Sequence, residues 1–213
     1  MIETSIIITT FNNKPIYTLK NNFPSNSEIL INKLEGLAFS RNYYADKANG
    51  KKLAFFDDDI IVKNPKIWDF LGQLKPNNLI MVRDASTRIM FIHKNDFNRV
   101  GKFDNYYSIS GEDREFCLRC IKKGVQVKFI LHNMYKHVYH PIRSRRKKLA
   151  IKQMRQHAHM YASYGYLFDS IDGLGFKRMF ATFTINPWYK LSYLFWDVVR
   201  SIFMVKQILT FHR

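Results

Sequence analysis

The spacing of hydrophobic and polar positions changes several times along this chain. Residues 5–10 (SIIITT) form a continuous apolar, β-branched run that stops at Phe11-Asn12-Asn13, as expected of a buried parallel strand opening into a polar loop. No basic stretch precedes that run and no small-residue cleavage site follows it, so it reads as a first strand and not as a secretory leader. Residues 16–20 and 28–32 are further short strand candidates, separated by Asn, Pro and Ser. From Leu37 the spacing becomes helical through Arg41, Tyr44, Ala45 and Ala48, and it ends at Asn49-Gly50, a helix-stop signal. KLAFF (52–56) predicts a strand that runs into Asp57-Asp58-Asp59 and then a second apolar triplet, Ile60 to Val62. Strands at 79–82, 88–92 and 125–131, with a helix over 111–123, complete an alternating α/β pattern.

Past the basic run Arg143 to Lys148 the pattern is helical and amphipathic. Leu191, Leu194, Phe195, Val198, Val199, Ile202 and Phe203 follow i, i+3, i+4, i+7 spacing and make one wide apolar stripe. Asp197, Arg200 and Lys206 interrupt it, and each would cost about 2.5–3.5 kcal/mol at a bilayer centre. A helix lying in the interface, helped by Trp188, Tyr189, Tyr193 and Trp196, fits better than a membrane span. The expected organisation is an α/β domain over 1–150 and a helical, basic, aromatic tail over 151–213.

Composition sharpens this picture. A chain of 213 residues can bury one substantial core with an appendage, and 46% apolar with 15% aromatic residues excludes a disordered chain. The net charge of +17 is uneven: residues 141–213 carry 13 Lys/Arg against 3 Asp/Glu. Such a surface attracts nucleic acid, anionic lipid or phosphorylated small molecules. Cys117 and Cys120 form a lone CxxC, and with Phe116 and Ile121 they share one helical face. Core packing is therefore expected, not a zinc or redox site, in a reducing cytosolic setting.

Three groups of residues carry candidate chemistry. AFFDDD puts three carboxylates at the end of a strand, where open α/β sheets bind ligands. Alternation along an extended segment lets Asp57 and Asp59 share a ligand site while Asp58 faces away. Oxygen ligands of this kind suit Mg²⁺ or Mn²⁺ bridging to substrate phosphates. Ser110-Gly111-Glu112-Asp113 opens the 111–123 helix, with Ser110 as N-cap candidate. Glu112 and Asp113 then either complement the helix dipole or provide a general base. Finally, a histidine in Val138-Tyr139-His140-Pro141 can add a neutral nitrogen ligand, with His132 and His137 as close rivals.

The segments SIIITTFNN (5–13), EGLAFSRNYYADKANGKKLAFFDDDIIV (35–62), NRVGKFD (98–104), SGEDREFCLR (110–119) and VYHPIRS (138–144) occur in the order and roughly the spacing of family-2 glycosyltransferases. The chain resembles that family over about its first 165 residues. The resemblance implies a GT-A fold: a Rossmann-like, mostly parallel sheet flanked by helices, here with a C-terminal amphipathic helical tail. It also implies sugar transfer from a nucleotide-diphosphate-sugar to an acceptor hydroxyl with inversion, a lipid-linked glycan being one candidate acceptor. By position it implies that Thr10 and Phe11 lie by the base, that Arg41 and Asp58 belong to the nucleotide side, and that Asp57 approaches the ribose or base. Asp59 is implied as ligand of Mn²⁺ or Mg²⁺, with Asp57 and His140 as further metal candidates. Asp113 is implied as the catalytic base, with Glu112 beside it.

One departure is plain. The family has a long helix between the first two strands and an Asp-rich turn after the second, whereas about 20 residues without Asp separate Thr10 from Ile31. The basic aromatic tail resembles the family's membrane-attaching tails, which implies a peripheral position on the cytosolic face of an anionic membrane. The competing classes are a metal-dependent nucleic-acid enzyme of nuclease type and a non-catalytic lipid-surface module. Nucleic acid is the weaker expectation, because the cations concentrate in the tail and not around the acidic residues.

Overall fold

The computed structural model describes residues 1–10, 16–32, 34, 36–83, 87–107, 111–131, 133–138 and 156. The chain divides into two compact units, Met1–Arg143 and Ser144–Arg213, and every described residue except Gln156 belongs to the first. The expected tail therefore lies outside the described residues.

The apolar run at the start forms β1 (Thr4–Thr9), buried along its whole length because strands flank it on both sides. Its neighbours are β2 (Ser27–Asn32) and β3 (Lys52–Asp57), both parallel to it. Between β2 and β3 lies helix α1 (Leu37–Lys47). After β3 come a short strand β4 (Ile60–Val62), helix α2 (Lys66–Gly72), β5 (Asn78–Arg83) and β6 (Thr87–His93). Helices α3 (Lys94–Val100) and α4 (Glu112–Lys122), then β7 (Gln126–Leu131) and β8 (Tyr135–His137), complete the described part. The main sheet has the order β2-β1-β3-β6-β5-β7, while β4 and β8 pair separately. β6 runs antiparallel to β3 and β5; the remaining neighbours in the main sheet are parallel. The α/β class and the mostly parallel sheet are thus as expected.

Alternation in β3 divides the core. Ala54 and Phe56 join Ile6, Ile8, Val82 and Phe91 in a cluster that also takes Ile67 and Leu71 of α2. On the opposite face Phe55 meets Phe97 and Phe103 at ring separations of 5.3 and 5.1 Å, and both of these touch Phe116 of α4. Each such aromatic pair adds about 0.5–1.5 kcal/mol beyond its buried area. Cys117 and Cys120 are buried thiols that form no disulfide, and burial pushes the Cys120 thiol up to about 12. They pack as core residues.

Two local expectations fail. Residues 16–20 do not form a strand: Tyr17–Lys20 is a 3₁₀ turn closed by Leu19 N–H to Ile16 O and Asn21 N–H to Thr18 O. Thr18 spends its backbone N–H and its hydroxyl on the acidic turn after β3, so the segment has no free ladder to offer a sheet. The cap of α4 is Gly111, at φ 89°, and not Ser110, which lies outside the described residues. That positive φ is costly for any residue with a Cβ and natural for glycine.

Candidate active site

Parallel neighbours bring their carboxyl ends to one edge of the sheet. Thr9 of β1 stands in register with Asp57 of β3. The antiparallel β6 enters at that same edge: Ile89 faces Phe56, so Arg88 lies beside Asp57. α1 presents Ala38, Arg41 and Ala45 from its buried side, and the two alanines let the helix come close enough for Arg41 to reach the strand ends.

Arg41 is 6% exposed and binds three groups. Its Nε donates to Thr9 Oγ1 at 3.1 Å, Nη2 to Asp57 Oδ1 at 2.8 Å and Nη1 to Glu112 Oε1 at 2.5 Å. Arg88 Nη1 donates to the other Asp57 oxygen at 3.1 Å. Two guanidinium groups therefore hold Asp57 by both oxygens, which leaves it a fixed element of the site. Burial still pushes its carboxyl above the ordinary range, with the charge of Asp59 adding to the rise and both arginines opposing it. Glu112 is 2% exposed, and burial pushes its carboxyl up to about 8 against the attraction of Arg41, helped by the neighbouring charge of Asp113. Asp113 itself lines a small cleft with Arg41, Thr87, Arg88 and Phe55.

Asp59 belongs to a turn and not to β3, so its direction comes from that turn and not from strand alternation. Its Oδ2 lies 2.9 Å from His137 Nε2, and its carbonyl accepts Val138 N–H at 2.8 Å. Its Oδ1 is buried without a hydrogen-bond partner among the described residues. A carboxylate held by an imidazole through one oxygen, with the other unpartnered among the described residues, is an oxygen donor of the kind that fits Mn²⁺ or Mg²⁺ completed by phosphates and water. Among the described residues no three His, Cys, Asp or Glu side chains converge on one point.

The remaining sequence candidates fall as follows. Thr10 is buried at the end of β1, with its N–H on Asn32 O at 3.0 Å and its hydroxyl unpartnered among the described residues. The Asp58 carbonyl accepts Thr18 N–H at 3.2 Å. Phe11, His132 and His140 lie outside the described residues, and His137 is the described histidine that meets Asp59. Sequence reasoning missed Thr9, Thr18, Asn21 and Arg88. Arg88 carried a faint signal, as the lone cation at the head of an apolar strand, but its role depends on β6 inserting antiparallel next to β3.

Neither a protein-family model nor a curated protein matches the chain at the level of sequence. Among solved structures it is similar to PcManGT, a mannosyltransferase from Pyrobaculum calidifontis described in complex with GDP-Man and Mn²⁺. The TM-score is 0.59 at 10% identity, over 97% of this chain and 86% of that one. This is a GT-A-like fold. TarS from S. aureus is similar at a TM-score of 0.52 and 13% identity, over 87% of this chain but 44% of TarS. At such identities the likeness speaks for fold, and the site's chemistry rests on the residues described above.

Proposed function

We propose that the protein is a metal-dependent glycosyltransferase that moves a sugar from a nucleotide-diphosphate donor to an acceptor hydroxyl with inversion. The observation that carries this reading is Asp59: a buried carboxylate oxygen without a partner among the described residues, in the turn at the carboxyl end of β3 in a GT-A-like sheet, with Asp113 lining a cleft beside Arg41 and Arg88. Asp59 would offer Oδ1 to Mn²⁺ or Mg²⁺ while His137 orients it through Oδ2. A divalent ion held there would supply the charge that neutralises a diphosphate leaving group. The structural likeness to PcManGT, a protein described in complex with GDP-Man and Mn²⁺, supports a donor of this class.

The two acids of α4 divide the work. Glu112 keeps its proton up to about 8 and is locked to Arg41, so it serves as a support. Asp113 faces the cleft and is the base that takes the acceptor's proton. Asp57, Asp58, Arg41, Thr10 and Phe11 form the donor side, with Arg41 and Arg88 fixing Asp57. His140 remains a further ligand candidate. The basic aromatic segment 141–213 would hold the enzyme on an anionic cytosolic membrane surface, which suits a lipid-linked acceptor. A nuclease reading has less support, because Asp57 and Glu112 are both bound to arginine and so, among the described residues, are poorly placed to hold a pair of metal ions.

The test is a panel of GDP- and UDP-sugars assayed for slow hydrolysis with Mn²⁺. Release of nucleoside diphosphate from one donor, lost on chelation and in Asp59→Asn, is the expected result. Hydrolysis that persists in Asp59→Asn, or silence across the panel, overturns the proposal.

A further inference from the structure

The acidic turn is held from two sides, and the two sides differ in kind. On one side β8 pairs with β4 through backbone groups: Asp59 O takes Val138 N–H, and Lys63 N–H reaches Met134 O at 2.9 Å. The peptide groups of Ile60 and Val62 point the opposite way, as alternate residues of a strand must. No strand of the described chain meets them there. Two side chains, one from the 3₁₀ turn and one just after it, meet them instead. Asn21 Nδ2 donates to Ile60 O at 3.1 Å, and Asn21 Oδ1 accepts Val62 N–H at 2.7 Å. One carboxamide thus bonds residues i and i+2 of β4, as the N–H and C=O of one residue in a parallel neighbouring strand would. Thr18 continues the row: its Oγ1 accepts Ile60 N–H at 3.1 Å and donates to Asp57 O at 2.6 Å, while its own N–H binds Asp58 O at 3.2 Å. Thr18 is fully buried.

We propose that Thr18 and Asn21 are positioning residues that replace a missing strand along β4 and so set the directions in which Asp57 and Asp59 point. Of the three peptide groups that Thr18 binds, two lie on either side of Asp58 and the third joins Asp59 to Ile60. Rotating any of them would swing the adjoining side chains, Asp57 away from its arginines or Asp59 away from His137. The abridged crossover between β1 and β2, which holds a 3₁₀ turn where a long helix is expected, is therefore compensated by two polar side chains at the site itself. The consequence for metal binding rests on the glycosyltransferase reading; the consequence for the turn does not.

Both consequences are measurable in the full-length protein. Thr18→Val keeps the shape and removes both hydroxyl bonds, whereas Thr18→Ser retains them. In the valine variant the Ile60 amide should exchange with solvent faster while the β1 amides stay protected. Mn²⁺ affinity in the presence of GDP or UDP should fall by about tenfold or more, the usual effect of losing a group that orients a ligand. The serine variant should restore both. Should Thr18→Val fold poorly, Asn21→Asp, which keeps the acceptor for Val62 and loses the donor for Ile60, should move both readouts in the same direction. Unchanged Ile60 exchange overturns the positioning role, as does unchanged Mn²⁺ affinity in variants of a wild type that binds it. A wild type that binds no Mn²⁺ with either nucleotide overturns the glycosyltransferase reading itself, leaving Ile60 exchange to decide whether Thr18 holds the turn.

Discussion

Arg41 shares one guanidinium between two carboxylates and a hydroxyl, and the acids it touches titrate in unusual ranges because burial outweighs the attraction of the guanidinium. Glu112 binds its proton more tightly folded than unfolded, with an ordinary value of 4.5 and a folded one of about 8. The stability this lends is complete below the ordinary value and is lost as pH rises through the folded one. Wild-type thermal stability should therefore decline relative to Glu112→Gln between those limits and run parallel outside them. Melting curves of both proteins across pH check this, and parallel curves throughout would remove the buried-acid account. Asp113 faces the cleft, so Asp113→Asn should lower kcat by about 10²-fold or more with donor KM little changed. Full activity in that variant would leave the proposed inverting reaction without its base. The residue types of the site were legible in the sequence. The partners were not, because Arg41, Arg88 and Glu112 come from separate elements and contacts across such distances leave no local pattern.

At the scale of elements, apolar runs located β1, β3, β5, β6 and β7, and helical spacing with start and stop signals located α1 and α4, to within a residue or so, since a strand shows its two-residue repeat within six residues and both helices run to 11. α2 and α3 span only seven residues, about two helical turns, and β8 only three, too few for the repeat of each to stand out. The Asn49-Gly50 pair is a helix-stop signal, and α1 does end just before it. The structure adds a second reason for glycine: a Cβ at Gly50 would stand 2.5 Å from the Ser5 backbone nitrogen. Gly50 N–H also donates to Ser5 Oγ at 2.8 Å, and that hydroxyl in turn donates to Glu28 on β2. Gly50→Ala must push β1 and β3 apart at this corner, for a loss of about 1–3 kcal/mol, the range of overpacked cores. Urea unfolding measures it, and an unchanged midpoint would mean that the turn yields without disturbing the sheet.

For the whole molecule, charge is the feature that fold does not explain. Among the described residues no helix is long and apolar enough to cross a membrane. The segment 141–213, with its excess of cations, several aromatic residues and an apolar stripe, remains the proposed membrane contact. Each basic residue near an anionic leaflet contributes about 1 kcal/mol. Full-length protein should cosediment with anionic liposomes and release as salt rises, whereas a chain lacking residues 176–213 should stay folded and unbound. Failure of the full-length protein to bind at low salt, or unfolding of the truncation, would return the tail to the core. By itself the sequence determined the α/β class, the strand that delivers the acidic residues and the helix that delivers Glu112 and Asp113, because these follow from periodicity and from residue types at short range. Tertiary structure alone decided that β6 enters antiparallel with Arg88, that His137 meets Asp59, and that Thr18 and Asn21 take the place of a strand. Each of these depends on which segments become neighbours after folding, a choice set by the burial of the whole core and by the need of every buried peptide group for a partner.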